Sequence, residues 1–167
     1  MKLYLLRHAE AVDVTETSTG SDADRSLTLR GRQRARALAH ALRQRDVRCE
    51  LIWTSPLVRA RQTAEILARG LRLGRSPVVV ELLSPEQNPR RLLSELQALR
   101  PLPDSMVLVG HEPFLSRLAA ILCTGAADGL DLTLKKCGLC RLDLDEVRPD
   151  RCAALTWLIS PRWFDPT

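Results

Sequence analysis

Short apolar runs alternate along this chain with longer stretches in which apolar residues recur every three or four positions, a pattern of buried strands and amphipathic helices. Lys2-Leu3-Tyr4-Leu5-Leu6 predicts a short buried strand that stops at Arg7-His8. The Thr-, Ser-, Asp- and Gly-rich stretch over residues 13–25 predicts a loop. Thr28 predicts the cap of a helix reaching about Arg45, with Ala35, Leu38, Ala39 and Leu42 on its buried face. Arg30, Arg32, Arg34 and Arg36 follow at intervals of two, steps of about 200° around a helix, which predicts a solvated flank and not a focused patch. Leu51-Ile52-Trp53 predicts a second strand. Ser55 then Pro56, a cap followed by a first-turn proline, predicts a helix to about Arg69 that buries Ala60, Ala64 and Leu67. Strands are predicted over residues 78–80 and 106–109, and helices over 89–99 and 113–122. Residues 139–144 and 153–159 predict two closing strands around a turn at Pro149-Asp150.

This order predicts an α/β fold: a three-layer α/β/α sandwich with a mostly parallel sheet, helices on both faces and a C-terminal antiparallel hairpin. At 167 residues without repeat, linker or low-complexity tract, the chain reads as one domain over residues 1–167. No apolar run is long enough to span a membrane. The N-terminal apolar run ends too soon, at Arg7, for a signal peptide, so the expected location is cytoplasmic.

Charge changes the picture modestly. The formal net charge is +5, and Lys2, Lys135 and Lys136 are the lysines among 25 basic residues, leaving 22 arginines. Such a balance favours anionic partners. With aromatics at 4% and not interleaved with the arginines, a base-stacking surface is not expected, so no nucleic-acid partner is assigned. Cys137 and Cys140 have the spacing of half a zinc site, but no second CxxC or HxxxH completes it. They are read as strand-core thiols, with no metal and no cofactor.

In open parallel sheets ligands bind at the carboxyl ends of the strands. Three segments place unusual polar residues there: Arg7-His8, Ser55-Pro56-Leu57-Val58-Arg59, and Gly110-His111-Glu112-Pro113. Two arginines and two histidines in one crevice call for an anion, and a phosphoryl group fits the guanidinium forks. A neutral imidazole is a competent nucleophile toward phosphorus. No Gly-rich phosphate loop with a following Lys is present, and no cysteine has an arginine six positions later.

At these residues Leu6-Arg7-His8-Ala9-Glu10 resembles the Arg-His-Gly signature of the histidine phosphatase superfamily, the phosphoglycerate-mutase-like enzymes. Ser55-Pro56-Leu57-Val58-Arg59-Ala60-Arg61-Gln62-Thr63-Ala64 is similar to its second signature and Gly110-His111 to its third. Leu27-Thr28-Leu29-Arg30-Gly31 resembles the segment that opens its first helix. Within the superfamily the chain looks most like the SixA-type phosphohistidine phosphatases. Ala9 departs from the glycine of the signature.

The resemblance implies His8 as the nucleophile that becomes phosphohistidine, Arg7 and Arg59 as holders of the phosphoryl oxygens, and His111 as a donor in the transition state, without metal. Glu81, after the third strand, is the candidate general acid, and SixA-type enzymes are expected to need none because imidazole leaves readily. Only 30 positions separate Glu81 from His111, too few for a closing insertion, so the site is expected to be open. The loop over residues 13–25 could partly cover it. Glu10 and Asp13 are candidates to orient Arg7 or His8. The expected substrate is phosphohistidine on a protein, with inorganic phosphate as product. The alternatives are a phosphatase of small phosphate esters and a non-catalytic phosphate-binding module.

Overall fold

The computed structural model describes residues 1–164. Its sheet has six strands: β1 (Lys2–Arg7), β2 (Leu51–Thr54), β3 (Val78–Val79), β4 (Ser105–Gly110), β5 (Leu139–Leu144) and β6 (Ala153–Ile159). They lie in the order β3-β2-β4-β1-β5-β6. β1 to β4 are mutually parallel where they pair, β5 runs antiparallel to β1, and β6 antiparallel to β5. Four helices cover it: α1 (Leu29–Gln44), α2 (Val58–Gly70), α3 (Pro89–Ala98) and α4 (Phe114–Thr124). This is the mixed α/β architecture expected from the alternation, including the closing hairpin.

The period of two along each strand sorts the core into two layers. Leu3 and Leu5, Met106 and Leu108, and Cys140 and Leu142 join Leu92, Leu93, Leu96, Phe114 and Leu118 of α3 and α4. Tyr4 and Leu6, Val107 and Val109, and Leu139 join Ala35, Leu38, Ala39, Ala60, Ala64 and Leu67 of α1 and α2. All six residues of β4 are buried, as a central parallel strand covered on both faces requires. Burial pushes the Cys140 thiol up to about 12, as befits a core residue.

Local signals set most boundaries. The Thr28 hydroxyl accepts from the Gly31 N–H at 2.9 Å and caps α1. Asn88 caps α3 ahead of Pro89. Gly125, at φ 88°, closes α4 in a left-handed turn that glycine adopts without strain.

Three expectations are corrected. α2 begins at Val58, two residues late: the Ser55 hydroxyl accepts from the Leu57 N–H at 3.3 Å and pairs with His111, so it closes a bend ahead of the still extended Leu57 and does not cap the first helical turn. β3 is only two residues long, at the edge of the sheet. The stretch over residues 13–25 contains two short 3-10 turns, Val14–Glu16 and Asp22–Asp24, where Asp13 and Ser21 side chains cap successive backbone N–H groups. Trp53 and Trp157 pack against the core, but Trp163 is 77% exposed. β5 and β6 slip register between Arg141 and Leu142.

Leu108 lies fully buried in β4, whereas Val78 is half exposed on the edge strand. Leu108→Ala is expected to cost about 2–5 kcal/mol, and Val78→Thr less than about 1 kcal/mol. Urea unfolding of the two variants measures the contrast.

Candidate active site

The site is assembled by strand register. β1 and β4 align Arg7 with Gly110, and β2 and β4 align Thr54 with Val109. β1 and β4 thus end level and β2 one residue earlier, so that His8, His111 and Ser55 emerge close together. The His8 N–H donates to the Gly110 carbonyl and the Ser55 N–H to the Val109 carbonyl, each at 3.0 Å. The His8 and His111 rings lie 5.0 Å apart between centroids, tilted by 53°. Arg59, second residue of α2, reaches back so that its Nε donates to His8 Nε2 at 3.3 Å. Arg7 Nη1 donates to the Leu134 carbonyl at 2.8 Å. His8, Arg59 and His111 are all buried.

Hydrogen bonding selects one imidazole tautomer at His8. Nδ1 donates to the Ala9 carbonyl at 2.7 Å, which leaves the Nε2 lone pair for the Arg59 N–H. Burial drives the His8 pKa down to about 3, and the charges of the neighbouring His111, Arg59 and Arg7 push the same way against the Ala9 carbonyl. His111 falls to about 4, again mainly through burial and then through Arg59. Both rings are therefore neutral at neutral pH, between two guanidiniums.

His111 Nε2 and the Ser55 hydroxyl are hydrogen-bonded at 2.8 Å, while its Nδ1 is buried without a partner. Arg7 Nε is the other such side-chain nitrogen among the described residues. An unmet buried polar group costs about 1–3 kcal/mol. That both belong to this one site marks it as shaped for an acceptor-rich guest.

A frame of residues to which the sequence alone assigned no part in the site holds the cluster. Thr63 Oγ1 donates to the Arg59 carbonyl at 2.7 Å and accepts from the Ala9 N–H at 3.1 Å, tying α2 to the strand end. Ala9 itself packs in the core beside α1 and α2, so a methyl is accommodated where the family signature has glycine. Glu112 accepts from the Leu134 N–H at 2.8 Å, and the Leu134 carbonyl in turn receives Arg7. The Cys137 N–H reaches the Arg7 and His8 carbonyls, each at 3.1 Å. The signals available were the hydroxyls inside the Ser55-to-Ala64 motif and the acid next to His111.

The loop over residues 13–25 does reach the site. Asp22 takes two Arg59 donors, Nη1 on its carbonyl at 2.6 Å and Nη2 on its carboxylate at 2.9 Å. Arg25 and Arg59 hold the Asp22 carboxyl below its usual range. Glu10 and Asp13 are engaged away from Arg7 and His8: Glu10 with Thr28 and Arg34, Asp13 in capping its own turn. Glu81 is the exposed first residue of a 3-10 turn after β3, and no hydrogen bond or ion pair links it to the four clustered residues. Cys137 and Cys140 are both buried, and no group of three or more metal-ligating side chains gathers among the described residues. No helix among them is long and apolar enough to cross a membrane.

The depressed histidine pKa values make a stability prediction. In the unfolded chain the rings take up protons near 6.5, in the fold only near 3 and 4. Below about pH 6.5 the unfolded state binds more protons, so stability is full above that value and falls toward pH 4, by up to about 1.4 kcal/mol per pH unit for each ring. Urea midpoints across this window are expected to flatten in a His8→Asn/His111→Asn double variant. An unchanged slope would assign the effect to other groups.

The family model of the histidine phosphatase superfamily (branch 1) matches residues 3–84. A protein of Picosynechococcus sp. is 38% identical over 169 residues, covering 99% of this chain and all of its own. The structure of the protein histidine phosphatase SixA complexed with tungstate is similar at a TM-score of 0.84 and 28% identity, over 97% of this chain and 98% of that one. The alpha-ribazole phosphatase of Shigella flexneri shares the fold at a TM-score of 0.75 and 20% identity, over 96% and 97%. By its sequence and by its fold, this chain belongs to the histidine phosphatase superfamily.

Proposed function

We propose that this protein hydrolyses phosphohistidine on a partner protein through a covalent phosphoryl intermediate on His8. The observation that carries the reading is the pair of buried, unpartnered nitrogens, Arg7 Nε and His111 Nδ1, in the cluster that holds the neutral His8 ring. A phosphoryl group offers oxygens to both.

In the first step the His8 Nε2 lone pair attacks phosphorus. The Nε2–P bond forms as the bond from phosphorus to the substrate nitrogen breaks, and the substrate ring, already protonated on its other nitrogen, departs with that electron pair as neutral imidazole. Arg59 releases Nε2 and exchanges the Asp22 carboxylate for phosphoryl oxygens, joined by Arg7. The Ser55 hydroxyl donates to His111 Nε2, which leaves the proton on Nδ1 to meet an oxygen as charge grows. Water then attacks phosphorus, the Nε2–P bond breaks, and inorganic phosphate leaves with the protons of that water. The guanidiniums supply the charge stabilisation, so the reading assigns no metal or cofactor.

Site access supports a macromolecular substrate. Between Glu81 and His111 the chain holds only a short turn, α3 and β4, with no inserted element to close over a small ligand. The likeness to SixA points the same way. The second reading, a small phosphate ester as substrate, is favoured by the fold shared with alpha-ribazole phosphatase. Free cysteines such as the half-buried Cys49, whose thiol desolvation pushes up to about 11, suit a reducing cytoplasm.

His8→Ala is expected to abolish the acid-labile phosphoryl adduct trapped from labelled phosphoramidate, in the presence of chelator as in its absence. Arg59→Ala is expected to lower kcat/KM by about 10²–10³ while changing stability by less than about 2 kcal/mol. A trapped adduct in His8→Ala overturns the mechanism.

Glu81→Gln distinguishes the substrates. Turnover of phosphohistidine peptide is expected to stay within about twofold because imidazole leaves without a strong acid, while hydrolysis of alkyl phosphates drops about 10²-fold. Equal losses on both would assign Glu81 as a general acid for either substrate.

A further inference from the structure

The row of arginines on α1 is not the scattered flank that its spacing of two predicts. Arg30 and Arg34 form one row, where Arg34 meets Glu10 at 3.6 Å. Arg32 and Arg36 form another, and it continues through His40 to Arg43. At 3.6 residues per turn these four lie at about 0°, 40°, 80° and 20°, within a quarter of the helix circumference. Together with Arg69 of α2 they line a groove of about 480 Å³ between the two helices, over a floor of Ala39, Ile66 and Gly70. No carboxylate lines it, and α1 contains no Asp or Glu in its 16 residues. The neighbouring Glu65 lies 3.8 Å from Arg69, an exposed pair that leaves the other guanidiniums of the groove uncompensated.

Geometry ties this groove to the site. α1 and α2 run side by side in the same direction: Arg32 bonds Gln62 near their starts, and Gly70 packs on Ala39 further along. A Cβ on residue 70 would strike the Ala39 methyl, so glycine allows the close approach that forms the floor. Arg59, one turn before Gln62, is the residue that contacts His8. The Arg59 side chain covers about 6 Å to His8, Arg32, paired with Gln62, lies about 5 Å further along α2, and Arg43 lies about 16 Å beyond Arg32 along α1. An extended peptide leaving His8 therefore enters the groove after about three residues and leaves it after about eight.

We propose that the α1/α2 groove docks an acidic segment of the phosphorylated protein substrate, three to eight residues from its phosphohistidine; this rests on the phosphoprotein reading above. Carboxylates would meet Arg32, Arg36, Arg43 and Arg69, and a small apolar side chain would lie on the Ala39–Gly70 floor. A nucleic acid is disfavoured because no aromatic ring but that of the exposed His40 lines the groove for base stacking.

The test uses phosphohistidine peptides with glutamates three to eight residues from the phosphohistidine, on its C-terminal side in one peptide and its N-terminal side in another, each with a glutamine counterpart. At least one glutamate peptide is expected to show a KM about tenfold below its counterpart at equal kcat, from several exposed ion pairs acting together. The preference is expected to vanish in R36E/R43E and to shrink in R36Q/R43Q, while turnover of a small phosphoramidate is unchanged. Equal KM values for the glutamate and glutamine peptides, or a preference that survives R36E/R43E, would overturn the proposal. Should no phosphohistidine substrate be turned over, the phosphatase reading fails, and fluorescence anisotropy of the labelled, unphosphorylated glutamate peptides decides the groove. Binding lost in R36E/R43E supports it, and no binding overturns it. Single-stranded DNA that binds more tightly than the peptides, and is lost in the same variant, overturns the peptide as occupant.

Discussion

Everything at the site depends on three parallel strands ending within one residue of one another. The register that sets Arg7 against Gly110 and Thr54 against Val109 is held by side chains on both faces of the sheet, Leu3 and Leu5 toward α3 and α4, Tyr4 and Leu6 toward α1 and α2. A slip of one residue would turn each of these to the opposite layer, and it would also carry His8 away from His111. The buried core and the chemistry therefore select the same alignment, and neither can drift without the other.

Given that alignment, burial does most of the electrostatic tuning. Desolvation is the largest cause of the depressed pKa at both histidines, with the guanidiniums adding to it. The same surroundings that keep His8 neutral would stabilise an anion brought beside it, because fixed cations act strongly where water is scarce. Asp22 answers part of that positive field from the solvent side, and Glu112 answers it through Arg7. The balance at Arg59 is thus between an exposed carboxylate and whatever anion enters.

The fold was largely legible in the residues. Period-two and period-three-to-four patterns located the strands and the buried faces of α1 and α2, since burial decides those positions directly. Arg7, His8, Arg59 and His111 stood out because strand ends and a helix start rarely deliver such groups together. Ser55 was misread because Ser-Pro is a strong local cap signal, and nothing local shows that a histidine 56 positions away takes its hydroxyl. Asp22 on Arg59 and the Glu112–Leu134–Arg7 chain span 37 and up to 127 positions, and only the folded register brings them together. The Arg32/Arg36 row of α1 was hidden because a spacing of two looks scattered until the row is followed through His40 to Arg43.

The margins of the sheet have a consequence of their own. One border is β3, just two residues long, and the other is β6, whose partnership with β5 is interrupted by the irregularity at Arg141 and Leu142. A brief border and a kinked one are poor templates for recruiting a strand from another molecule. The exposed Val78, Val79, Leu155 and Leu158 therefore sit on borders that resist fibrillar stacking.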